Sequence, residues 1–271
     1  MKYIKQTIVA GCTILKSVFP STGERKPGQK RKQKVNKTPE SVKKTNLRNA
    51  VIKLTAILNA NFRNGDYHIV LTNADDPTLE EVKDRMQKFL RRMRGRSAAK
   101  TTGFEWKWVA AIEHKGKRPH LHMVCSRVDR KVIEACWTWG HVSFHPLDTD
   151  GEYSGLADYM TKETEETFRM PDAIQKQRYT HSRNLIIPQP RKKQITKAEY
   201  LREINDPQPE AECTIDLDSI ERYEHMITEE QCVFCIMKAA GPITDYRKGR
   251  PGEYEPEYVS SMEAGEENRG G

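Results

Sequence analysis

The sequence predicts an α+β fold, a central antiparallel sheet with helices packed on it. Apolar residues alternate with strand period over residues 67–72, 106–113 and 118–126. Stripes of helical period lie before, between and after these runs. The second and third runs are separated only by Lys115-Gly116-Lys117, a turn that returns the chain antiparallel to itself.

The elements follow in order. Lys2 and Lys5 precede a short apolar run around Gly11-Cys12, too brief for a secretion signal, and the alternation of Ile4, Ile8, Ala10, Cys12 and Ile14 reads as a small hairpin. Residues 21–37 lack apolar periodicity and read as a basic flexible linker. Thr38-Pro39-Glu40 supplies a cap, a first-turn proline and an early acid for a helix carrying Val42, Leu47, Val51, Leu54, Leu58 and Phe62. Asn64-Gly65-Asp66 ends that helix. In the strand that follows, Ile69 and Leu71 are set against His68, Val70 and Thr72. Thr78-Leu79-Glu80-Glu81 is a capping box, and Leu79, Val82, Met86, Phe89, Leu90 and Met93 form one apolar stripe. After the hairpin of the opening paragraph come a short helix near 130–137, a strand near 141–144 and a helix over about 153–167. This order favours a sheet covered by helices on one face. Further on, 198–204 reads as helix, and 213–217 and 232–237 as strands.

The 271 residues, with a mean hydropathy of −0.80, suit one well-formed domain with polar extensions. The expected organisation is a hairpin and linker (1–41), a catalytic domain (42–190), a small extension (191–240) and a disordered acidic tail (241–271). No run is long enough to span a membrane, and six cysteines in a chain this long read as reduced thiols of a cytoplasmic protein. Cys232-Val233-Phe234-Cys235 has zinc-knuckle spacing without a second pair, so two small apolar positions in a strand are the simpler reading. Charge is segregated: residues 1–50 hold 13 Lys/Arg against 2 Asp/Glu, and residues 203–271 hold 6 against 17. A basic arm and core favour a polyanionic partner, because neutralising phosphates releases their counterions.

The chemistry concentrates in Arg118-Pro119-His120-Leu121-His122-Met123-Val124. Strand alternation points His120 and His122 the same way while Leu121 and Met123 enter the core. In the neighbouring strand, burying Trp106, Trp108, Ala110 and Ile112 leaves Glu113 on the histidine face. Two imidazoles and a carboxylate accept a divalent ion such as Mn²⁺ or Mg²⁺, and zinc also suits them. For a bare His-x-His, two surface histidines are the competing reading. Downstream, Leu156-Ala157-Asp158-Tyr159-Met160-Thr161-Lys162-Glu163 puts Tyr159 and Lys162 on one helical face. A phenol with a pKa of about 10 is a poor nucleophile unless a metal polarises the phosphate and a cation offsets developing charge. Lys115, Lys117, Arg118, Arg178 and Arg183 are candidate contacts to DNA. His141 and His145 are weaker candidates for the metal site.

This ordered set resembles the HUH endonucleases, and more closely the single-tyrosine rolling-circle replication-associated proteins of plasmids, phages and integrated elements. The matching residues are Ile69-Val70-Leu71-Thr72, then Glu113 with His120-Leu121-His122, then Tyr159-Met160-Thr161-Lys162. Asn59-Ala60-Asn61-Phe62, Gly65-Asp66 and the run from Arg178 to Leu185 are similar to further phrases of that group. The likeness spans about residues 46–190. It implies a ferredoxin-like core and a nick in single-stranded or hairpin origin DNA, with Tyr159 as nucleophile and Glu113, His120 and His122 as metal ligands. The attack leaves a 5′-phosphotyrosyl link and a 3′-hydroxyl that primes synthesis. The setting it implies is the cytoplasm of a bacterial host.

No Gly-x4-Gly-Lys-Ser/Thr loop occurs, so unwinding falls to a separate host helicase. Tyr153 and Tyr179 are not placed as second nucleophiles. A transposase or relaxase of a mobile element, a non-catalytic single-stranded nucleic-acid-binding protein and a water-using hydrolase are the alternatives. The acidic tail is expected to screen the basic surface against non-specific DNA. Deleting residues 206–271 should then strengthen such binding at low salt, and unchanged binding would refute the idea.

Overall fold

In a computed structural model, residues 1–21, 40–98, 106–114, 118–148, 150–163, 177–210 and 212–243 are described. In chain order they form β1 (Lys2–Ala10), β2 (Thr13–Ser21), α1 (Glu40–Asn61), β3 (Tyr67–Leu71), α2 (Leu79–Ala98), β4 (Trp108–Glu113) and β5 (His120–Cys125). There follow α3 (Arg130–Cys136), β6 (Val142–Pro146), α4 (Ser154–Glu163), β7 (Thr180–His181), β8 (Arg191–Ile195), α5 (Lys197–Asn205), β9 (Thr214–Glu224) and β10 (Gln231–Lys238). The basic linker, the Lys115-Gly116-Lys117 turn with its two candidate DNA contacts, the expected helix beyond Glu163 and the chain from residue 244 lie outside the described residues.

The strands make two antiparallel five-stranded sheets, ordered β8-β1-β2-β10-β9 and β6-β3-β5-β4-β7, so the fold is α+β. The second sheet bears the histidines and follows the expected order of elements from β3 to α4. The start of α2 is fixed locally: Thr78 and Glu81 close its capping box, with Thr78 N–H donating to Glu81 Oε2 at 2.8 Å and Glu81 N–H donating to Thr78 Oγ1 at 3.3 Å.

The expectation of helices on one face is corrected. Ile69, Leu71, Ala110, Ile112, Leu121, Met123 and Cys125 pack with Val82, Phe89 and Met93 of α2 and Ile133 of α3. On the opposite face Val109, Ala111 and Val124 pack under Leu54, Ile57 and Leu58 of α1 and Ala157 and Met160 of α4. Both faces are therefore covered, and Val124, expected to point away from a core, is fully buried in a second one. Small and β-branched residues on that face, Val109, Ala111 and Val124, let the helices approach closely. Each fully buried Leu or Met of the hairpin stabilises the sheet by about 1.5–3 kcal/mol.

The first sheet joins the two ends of the chain. The expected hairpin is β1 and β2, turning at Gly11, whose φ of 61° and a would-be Cβ 2.2 Å from the Asn59 carbonyl oxygen both require glycine. β2 then pairs with β10, so strands from opposite ends of the sequence lie side by side. Asn59 of α1 ties this hairpin to the histidine sheet: its Nδ2 donates to Thr13 Oγ1 at 2.9 Å and its Oδ1 accepts from Tyr153 N–H, just ahead of α4, at 2.9 Å. Cys232 and Cys235 are buried in β10, and burial pushes both thiols up to about 11, so they act as apolar packing residues.

Much of the acidic surplus belongs to this sheet and not to a tail: residues 203–243 hold ten Asp/Glu against two Lys/Arg. Removing residues 206–271 would take away β9 and β10, so the screening idea is tested by a cut after Ile243 instead. Part of that acid is internal. Lys16 Nζ lies 2.7 Å from Glu203 Oε2 and also donates to the Gln208 carbonyl, with both charged side chains almost fully buried. Glu203→Ala leaves the ammonium buried without its counter-charge and is expected to cost about 3–5 kcal/mol in urea unfolding. The double replacement Lys16→Met with Glu203→Leu should cost far less; equal losses would show that the pair is not what holds α5 to the sheet.

Candidate metal and nucleophile site

Register builds the site. β4 and β5 pair so that Glu113 stands directly opposite His120 and Ala111 opposite His122. Glu113, His120 and His122 therefore share one face, with His122 diagonal to Glu113. Glu113 Oε2 lies 2.8 Å from His122 Nε2 and 3.0 Å from His120 Nε2. Ligand atoms of the three residues all fall within 4.8 Å of one another, and among the described residues no other set of three such groups does so. Glu113 and His122 are buried and His120 is half-buried, which leaves one open side. A buried carboxylate needs partners, and here its partners are two imidazole nitrogens that can equally serve a cation.

α4 brings the phenol to the same face. The Tyr159 ring meets the His122 ring edge-on, with centroids 5.2 Å apart and an interplanar angle of 89°. It is 43% exposed, so a DNA strand can reach it from solvent while Ala157 and Met160 of the same helix are buried against α1 and the sheet. Tyr153, by contrast, is buried and its hydroxyl donates to the Asp148 carbonyl at 3.4 Å; burial and neighbouring acids push its phenol further up from the ordinary value. Tyr179 is also held up, to about 12, by burial.

Lys162 Nζ lies 2.6 Å from Asp158 Oδ2, one turn back, and both line a groove with Lys44, Leu47 and Arg48 of α1. Of the candidate DNA contacts, Arg118 is exposed and donates to the Ala74 carbonyl at 3.2 Å, near the ends of β3 and β5. Arg183 is exposed just past β7, and Arg178 is half-buried, with burial lowering its pKa. Trp106 and Trp137 are buried in the core on the far face, with Trp108 and Trp139 packed against it.

The residue that sequence reading passes over is His68. It lies on β3 beside β5, and its Nε2 is 3.3 Å from His122 Nδ1. Its ring also faces Tyr159 at 6.3 Å and His145 of β6 at 5.6 Å. Burial, then the neighbouring His122 and His145, lowers its pKa to about 3, so it stays neutral; burial likewise lowers that of His122. The alternation of β3 already put His68 opposite the core, but its partner depends on a β3–β5 register that no local pattern encodes. His145 reaches His68 but is not one of the converging three, and His141 offers its carbonyl to the Thr72 hydroxyl.

Residues 66–164 match a family of replication-associated proteins, described as the ORF2 type. That span runs from the residue before β3 to the residue after α4, which takes in the whole Glu–His–His set and Tyr159 and leaves out the first sheet. A search of curated proteins and of solved structures gave no match. The match supports a replication-associated protein that works on DNA, and the Glu–His–His group is one that could bind a metal. No helix among the described residues is long and apolar enough to cross a membrane.

If the three donors take up an ion, the folded state gains stability by mass action. Mn²⁺ at a hundred times its dissociation constant is expected to stabilise the protein by about 2.7 kcal/mol, read as a rise in melting temperature. The rise should vanish in His122→Ala. A rise that survives the substitution would place the ion elsewhere.

Proposed function

We propose that this chain initiates rolling-circle replication by nicking and rejoining single-stranded origin DNA, with Tyr159 as nucleophile. The observation that carries this reading is the 5.2 Å edge-on contact between the Tyr159 and His122 rings, which sets an exposed phenol beside three converging ligand atoms. The family match over the same residues adds the replication context.

In this reading Glu113, His120 and His122 hold a divalent ion such as Mn²⁺ or Mg²⁺. When bound, the ion supplies Lewis-acid polarisation of a phosphate oxygen. The chain does the rest. Tyr159 Oη attacks the phosphorus as the phenol gives up its proton; the bond from phosphorus to the 3′-oxygen breaks, and that oxygen takes a proton to become a 3′-hydroxyl. One phosphodiester is exchanged for one phosphotyrosyl ester, so reversal rejoins the strand without ATP. The second core excludes water behind His122 and Glu113, which strengthens the electrostatics of the pair. Lys162, already paired with Asp158, contributes positive potential near the strand; Arg118, Arg178 and Arg183 offer the phosphates further cations. Unwinding is left to a separate helicase.

The test is incubation of the protein with a labelled single-stranded origin oligonucleotide and Mn²⁺. A covalent adduct is expected for the wild type and for Tyr153→Phe, and none for Tyr159→Phe. Cleavage without adduct that survives Tyr159→Phe would establish a water-using hydrolase instead. Binding with neither adduct nor cleavage, whatever the metal, would leave a nucleic-acid-binding module.

A further inference from the structure

His122 has two ring nitrogens, and the structure gives each a partner. Nε2 faces Glu113 Oε2 at 2.8 Å, and Nδ1 faces His68 Nε2 at 3.3 Å. The two imidazoles are nearly coplanar, 19° apart, with centroids separated by 5.5 Å. His68 is also packed against the edge of Tyr159, so one side chain touches both the buried imidazole and the phenol.

We propose that His68 is a positioning residue that fixes the orientation and tautomer of His122. This rests on the reading of His122 as a metal ligand. The chemistry of a neutral imidazole is what fits it to the place. With Glu113 as partner and no cation, the proton of His122 sits on Nε2 and its Nδ1 accepts from His68 Nε2–H. A cation at Nε2 needs the lone pair there, so the proton moves to Nδ1, which must then donate. His68 meets both demands at one atom, because shifting its own proton to Nδ1 turns its Nε2 from donor to acceptor. A serine, amide or carboxylate at this distance would have to move, whereas an imidazole exchanges roles in place. A hydrogen-bond partner behind a ligating histidine typically accounts for about 10–100-fold in metal affinity.

Three proteins and one spectrum test it. In ¹⁵N-histidine-labelled wild type without metal, a nitrogen–nitrogen coupling across the hydrogen bond is expected between His68 Nε2 and His122 Nδ1. In calorimetric titration with Mn²⁺, His68→Phe keeps a ring against Tyr159 but loses the bond, and its dissociation constant should rise about 10–100-fold with an unchanged circular dichroism spectrum. His68→Gln, which ends in both a donor and an acceptor, should recover most of the affinity. If His68→Phe binds Mn²⁺ as the wild type does while His122→Ala does not, the positioning role is overturned and the metal site stands. If His122→Ala also binds as the wild type does, the ligand reading itself fails. Absence of the coupling in the wild type overturns the role without reference to any variant, and so covers the case in which His68→Phe does not fold.

Discussion

Everything at the site depends on the antiparallel register of β4 and β5. Pairing Glu113 with His120 puts three ligand atoms on one face, and a slip of one residue would send Glu113 to the opposite face, into the α2 core. The register is held from both sides. Leu121 and Met123 are fully buried under α2 and α3, while Val109, Ala111 and Val124 are buried under α1 and α4. A strand anchored on both faces has no alternative pairing of similar energy. The same burial that fixes the strand also deprives His122 and Glu113 of water, and their mutual contact is what makes that tolerable.

The helix that closes the site is shared with the first sheet. α1 sends Leu54, Ile57 and Leu58 toward the histidine sheet and Ile52 and Ala56 toward β1, β2 and β10. Asn59, at the end of that helix, bonds to the hairpin and to the backbone that leads into Tyr159's helix. Two residues on, Asn61 clasps the backbone of Ile186, accepting from its N–H at 2.8 Å and donating to its carbonyl at 2.7 Å. The phrase Asn59-Ala60-Asn61-Phe62 is thus a set of ties that holds α4 and the chain beyond β7 around the sheet. The first sheet, itself locked by the buried Lys16–Glu203 pair, serves as the platform on which α1 is fixed.

What was legible in the sequence follows from range. The order β3, α2, β4, β5, α3, β6, α4 could be read because each element declares its own period, and Glu113 could be read because a three-residue turn leaves the hairpin little freedom of register. The cover over the site could not. α1 is apolar toward two cores at once, so its stripe does not point to either. β8, Arg-Lys-Lys-Gln-Ile, has no apolar alternation because it joins an edge through its backbone alone. His68 stood on the right face of its strand, but its meeting with His122 is a contact across 54 residues.

The account turns on whether the three converging atoms take up a cation beside Tyr159. Anomalous diffraction from crystals of the protein soaked in Mn²⁺ measures that directly. One peak bounded by Glu113, His120 and His122, on the side that Tyr159 faces, is the predicted result. Ordered, well-resolved side chains at these positions with no peak among them, or with the ion bound elsewhere on the chain, would contradict it.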